Sequence, residues 1–181
     1  MNQEEFWSLV ETSRQAAGGD CEAQAVALRT ALLKGGKDQI VAFANHLNGR
    51  ISELMSFDLL AASFIIQSYT SDDAFADFQA WLVMQGRERF EAALKDVSSF
   101  AQWLKREDVE GIDGRVFVTL AATTYQEAGG KEDEFYDRVA FPDEVDFEIV
   151  WPEDKSGFES RWPALYRKFW NQERVNELHQ E

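Results

Sequence analysis

Apolar residues recur along this chain at spacings of three and four, the period of an α-helix with one face turned inward. Asn2 with Glu5 three residues on makes a capping-box pattern, and Phe6, Leu9, Val10 and Ser13 follow at helical spacing. Gly18-Gly19 closes that element. Asp20 is placed to cap the next, whose Val26, Leu28, Ala31, Leu32 and Leu33 run to a stop at Gly35-Gly36. A third helix carries Ile40, Val41, Phe43, Ala44, Leu47, Ile51, Leu54 and Met55. The fourth, from Phe57 to about Tyr69, is apolar in every direction, as a central buried helix should be. Thr70 with Asp73 offers another cap, after which Phe75, Phe78, Trp81 and Leu82 face one way until Gly86. A short helix with Phe90, Ala93 and Leu94 follows, and another with Phe100, Trp103 and Leu104.

Val116 to Gln126 carries two signals. Its β-branched residues suit a strand, but Val116, Leu120, Ala121 and Tyr125 keep helical spacing and Gly129-Gly130 stands behind them, so a helix is expected. Ser160, Pro163 in the first turn, Leu165, Tyr166, Phe169 and Trp170 define the last helix. All three prolines (Pro142, Pro152, Pro163) fall late in the chain. Residues 1–129 therefore read as a helical core. Residues 130–160 read as an acidic, proline-bearing irregular segment whose aromatics dock on that core, and 161–181 as a C-terminal helix of the same domain. Within the segment, Val145 to Trp151 alternates weakly, as a short extended piece would. The predicted fold is mainly α: a single-domain orthogonal bundle of six to eight helices around the Phe57–Leu82 pair.

Composition narrows the classes. With 45% hydrophobic residues in 181, the chain can bury a sizeable core. Its longest apolar run falls well short of the roughly 20 residues a bilayer span needs, so no membrane role is expected. One cysteine excludes an internal disulfide, and an acidic N-terminus lacks the basic, apolar plan of a signal peptide; both point to the cytoplasm. The net charge of −15 is unevenly spread, since Glu127 to Glu159 holds twelve acidic and three basic residues. Such a field repels phosphate backbones, which argues against direct nucleic-acid binding. A basic protein is the partner it suits, although solubility alone also accounts for the charge.

Several stretches carry a resemblance. EEFWSLVETSR near the start, LLAASFI at 59–65, SDDAFADFQAWLVMQGRERFEAAL at 71–94, TYQEAGG at 124–130 and WPALYRKFW at 162–170 resemble a bacterial domain-of-unknown-function family, number 4240. The resemblance covers most of residues 1–130 plus the last helix and leaves 131–160 unmatched. It implies a mainly helical intracellular domain and brings no established activity.

Candidate chemistry is sparse. Asp73 and Asp77, four apart on one helix face beside Asp72, have a spacing that could offer oxygen ligands to a hard cation. Arg87 and Arg89 further on could pair with an anionic ligand. The simpler account is that Asp72 and Asp73 meet the positive end of a helix dipole, worth about 0.3–1 kcal/mol. Cys21, just after a cap, would need His46 or His179 as base to act as a nucleophile. Gly35-Gly36-Lys37-Asp38 matches a phosphate loop for three residues only, and Asp108, Glu110 and Asp113 match a calcium loop poorly. No cofactor motif is present. Most of the six tryptophans fall at core-facing helix positions. The preferred reading is a non-catalytic cytoplasmic binding or regulatory module that meets a protein partner through acidic surface. The alternative is a metal-dependent hydrolase using the aspartate cluster at 72, 73 and 77.

Overall fold

Local end signals set the first half of the molecule. In this computed structural model, which describes residues 1–143 and 145–178 and side chains as far as Asn176, the Asn2 capping box opens helix α1 (Gln3–Ala17). Glu5 N donates to Asn2 Oδ1 at 2.9 Å, and Asn2 N donates to Glu5 Oε2 at 2.7 Å. Gly18, left-handed at φ 62°, ends the helix, and Asp20 accepts from Ala23 N at 2.7 Å to start α2 (Cys21–Glu53). The expected stop at Gly35-Gly36 is a kink: α2 runs on, bent where Gly36 has φ 76° and ψ −179°. That backbone region is essentially closed to any residue with a Cβ.

Helix α3 (Phe57–Gln67) is the buried centre, with Phe57, Leu59, Leu60, Ala61, Ala62, Ser63, Ile65 and Ile66 all inside. Next comes α4 (Asp72–Met84), whose cap is Ser71 rather than Thr70; Ser71 Oγ accepts from Ala74 N at 3.2 Å. Then follow α5 (Arg87–Lys95), α6 (Phe100–Trp103), α7 (Arg115–Val118) and α8 (Leu120–Glu127), with 3₁₀ turns at Val97–Ser99 and Arg106–Gly111. The stretch at 116–126 is thus helical, broken at Thr119. Its first turn lies against α4 so closely that a Cβ on Gly114 would sit 1.6 Å from the Asp77 carbonyl oxygen. The chain continues through α9 (Glu132–Arg138), α10 (Lys155–Arg161), α11 (Pro163–Phe169) and α12 (Gln172–Leu178).

The all-helical class holds among the described residues, but twelve α-helices replace the expected six to eight. Three departures add helices, the first being the break of 116–126 into α7 and α8. The 130–160 segment contains α9 and α10 and is not irregular throughout. The last helix is split into α11 and α12, and Ser160 lies inside α10, so the N-cap of α11 is Trp162 rather than Ser160. Helices of two turns show too little periodicity to be read locally, and they persist only by packing on a core. Val145 to Trp151 forms no strand. Val26, expected on the inner face of α2, is 58% exposed.

One hydrophobic cluster joins all of this. Phe6, Phe43, Phe78, Phe90, Phe100, Phe117 and Tyr125 are fully enclosed, and Phe135, Val139, Phe158, Trp162, Leu165 and Phe169 from the second half belong to the same cluster. Buried Gln24 ties three elements together: its Nε2 donates to the Met84 carbonyl at 3.0 Å and to Ser13 Oγ at 3.4 Å. Among the described residues no helix is long and apolar enough to cross a membrane.

Candidate functional site

The surface departs furthest from an ordinary water-facing one between α9 and α10. Backbone enters this segment at Val139, which is buried, and is held to α2 at Ala140. Ala140 N donates to Asn45 Oδ1 at 2.7 Å, and Asn48 Nδ2 donates to the Ala140 carbonyl at 3.0 Å. It leaves at Trp151, whose ring meets Phe57 edge-on at 5.1 Å and Phe64 at 5.5 Å, and at Asp154, which caps α10. Both ends are therefore fixed to the core. Between them, residues 141–143 and 145–153 make no backbone–backbone hydrogen bond among the described residues.

What the segment displays is unusual. Phe141 is 64% exposed, Ile149 54% and Val150 55%, with Val145 and Trp151 also exposed. Asp143, Asp146, Glu148 and Glu153 stand between these apolar groups, all in solvent. Large apolar side chains in water at this density are characteristic of contact surfaces. An apolar groove of about 710 Å³ adjoins the segment's end, lined by Phe64, Trp151, Pro152, Phe158, Trp170 and Val175. The aromatic stack there is continuous: Phe158 lies 5.5 Å from Phe64 and 5.1 Å from Trp170.

The residues singled out from the sequence do not converge. Asp72 and Asp73 are exposed in the first turn of α4, where the helix dipole accounts for them. Asp77 is half-buried beside α7, and burial raises its carboxyl above the ordinary value; Arg115 opposes the shift, while Asp113 and Asp73 add to it. Among the described residues no group of three or more His, Cys, Asp or Glu is placed to hold a metal ion. Asp72, Asp73 and Asp77 are thus not gathered into such a group.

Arg87 lies on α5 and is already engaged: it donates to Glu91 at 2.7 Å and to Glu4 of α1 at 2.8 Å. Arg89 is different. Its guanidinium stacks over the Trp103 ring at 4.4 Å and donates to Gln85 Oε1 at 3.1 Å. Cys21 is buried, with its thiol directed at the Gly111 carbonyl at 3.5 Å, while His46 stacks on Phe6 and sits 3.1 Å from the Met1 carbonyl. Burial raises the Cys21 thiol above its ordinary value, the reverse of activation by a helix terminus. His179 and Glu144 lie outside the described residues.

An all-helical domain built around a buried α3, with α10 and α11 folded back over that helix, is the class that this architecture defines. The family described as Protein of unknown function (DUF4240) matches residues 1–127, and the chain belongs to it. That match stops at the end of α8, so the segment at 139–154 lies beyond it, while the adjoining groove joins Phe64 from inside the match to Trp151, Phe158, Trp170 and Val175 from beyond it. No curated protein and no solved structure matches the chain.

Proposed function

We propose that this chain is a non-catalytic binding module that meets a basic protein partner through the acidic, apolar segment at 139–154. Its main support is a single arrangement: exposed Phe141, Val145, Ile149, Val150 and Trp151 interleaved with carboxylates, on backbone fixed at both ends and unpaired between them. Holding the ends limits the ordering entropy that a free peptide would lose on binding. The apolar groups supply contact energy, and the carboxylates supply steering and choice of partner. The cytoplasm is the compartment this reading assumes.

The test places a photo-crosslinking residue at exposed position 153, which neither variant below alters, and identifies what is captured in cells. Basic proteins captured in a salt-sensitive manner, and lost in the double variant Ile149→Ser, Val150→Ser with unchanged melting temperature, are the expected outcome. Capture that survives that variant, or that ignores salt, would overturn the reading. Removing residues 141–150 behind a short Gly/Ser linker gives a second check, since partner capture should vanish while the helical circular dichroism remains.

A further inference from the structure

A second feature lies inside the family region, remote in sequence from the acidic segment. The end of α1 and the Gly18-Gly19 turn, the start of α2, the end of α4, α5, and the 3₁₀ loop after α6 enclose a cleft of about 590 Å³. Arg14, Arg89 and Lys105 line it beside Glu107 and Asp108, and Glu11 pairs with Arg14 at 2.8 Å, which leaves Arg89 without an acid of its own in a chain whose net charge is −15. An arginine with no acid partner, in a cleft of so acidic a molecule, needs a physical account.

Arg89 supplies it. The Trp103 ring beneath its guanidinium is itself stacked on Trp81 at 5.8 Å and 29°, and Trp81 is buried. With the guanidinium carbon 4.4 Å above the ring, this aromatic platform covers one side of the cation and leaves donors not used on Gln85 to be met from the cleft. One donor goes to Gln85 Oε1, a neutral acceptor, and no carboxylate within ion-pair distance takes the others among the described residues. The other arginines of the first half each pair with an acid: Arg14 with Glu11 at 2.8 Å, Arg29 with Glu127, Arg50 with Glu53 at 2.9 Å, and Arg87 with Glu4 and Glu91. Burial and the nearby Arg14 cation make the charge on Arg89 costlier, with Glu11 and Glu88 opposing. An ion pair that would relieve this is the one the chain itself does not provide.

We infer that this cleft is a binding site for the oxyanion group of a small molecule, a phosphate or carboxylate, held by the Trp103-stacked Arg89 fork with Arg14 and Lys105 on the rim. A planar, pre-positioned guanidinium suits two-point capture of either group. The site is independent of the partner-binding segment.

The experiment titrates inorganic phosphate, malonate and chloride into the full-length protein, following the Trp103 indole signal by NMR and heat by calorimetry. Saturable binding of phosphate or malonate, but not chloride, is expected, and which of the two binds tighter assigns the ligand as a phosphoryl compound or a carboxylic acid. Arg89→Gln should weaken binding about tenfold or more, the scale of a lost charge-assisted hydrogen bond, while Arg87→Gln should leave it unchanged. Arg89→Lys keeps the charge and loses the fork, and should bind nearly as poorly as Arg89→Gln. No saturable binding up to about 10 mM, the weak end of specific affinity, would overturn the inference. So would equal weakening in the Arg87 variant. If Arg89→Gln does not fold, Lys105→Gln on the exposed loop replaces it and should weaken binding several-fold; undiminished binding there would count against the site.

Discussion

Asp77 shows how a single side chain is reinterpreted by its surroundings. Four residues after Asp73, it has the spacing of a cation ligand; in the fold its neighbours are α7, the Gly114 backbone and the Arg115 cation. Because burial raises its carboxyl in the folded state above the ordinary 3.8, ionisation penalises the native form at neutral pH. The sign follows from linkage. Below the unfolded value both states hold the proton and no penalty exists; as pH rises through the folded value, stability is lost. Asp77→Asn should therefore melt higher than the parent protein at pH 7. That difference should shrink as pH falls toward and below the ordinary carboxylate range, in thermal melts recorded across pH. A constant or reversed difference would contradict it. Arg89 and Arg87 make the same point from the opposite charge: two residues apart, one is stacked and lacks an acid partner while the other is doubly paired. Local sequence shows only half of this, Glu91 four residues after Arg87 where Arg89 has Ala93; the second acid, Glu4, comes from 83 residues away.

At the scale of elements, end signals were the legible part. Asn2, Gly18, Asp20 and Pro163 act locally, through hydrogen bonds or fixed backbone angles a few residues away, and each stands where its residue type demands. Gly36 was legible as a breaker but not as a bend, since whether a helix resumes after a glycine depends on what both halves pack against. Both halves of α2 have a fixed seat: Leu28 and Leu32 before the kink and Ile40, Phe43 and Leu47 after it are buried. Gly36→Ala should consequently cost about 1–3 kcal/mol, the scale of a non-glycine residue forced into that backbone region. Urea denaturation would read it, and a loss below 0.5 kcal/mol, the size of an ordinary surface substitution, would show that the bend is not required. The short helices α9, α10 and α12 were illegible for a different reason. Seven residues give too few turns to show a pattern.

For the whole molecule, the family region and the structural unit do not coincide. The match ends at residue 127, yet Phe135, Val139, Phe158, Trp162, Leu165 and Phe169 are buried in the one cluster. Each such side chain contributes about 1.5–3 kcal/mol, so removing them together approaches or exceeds the roughly 5–15 kcal/mol of a whole domain. A fragment of residues 1–127 should lack a cooperative melt and bind a hydrophobic dye, with α3 left uncovered where α11 had packed. A sharp transition matching that of the full chain would show instead that residues 1–127 fold alone.

The helical class, the buried character of α3 and most helix starts in the first half were determined by the sequence itself. They depend on period and on caps, both of which act within a few residues. Tertiary structure alone decided that Asp72, Asp73 and Asp77 are not gathered into a group of three, that Arg89 lies on Trp103 over a cleft, and that Phe141, Val145, Ile149 and Val150 face outward while Val139 is buried. Those outcomes depend on which distant surfaces meet, and the chain's local spacing carries no record of contacts closed across tens of residues.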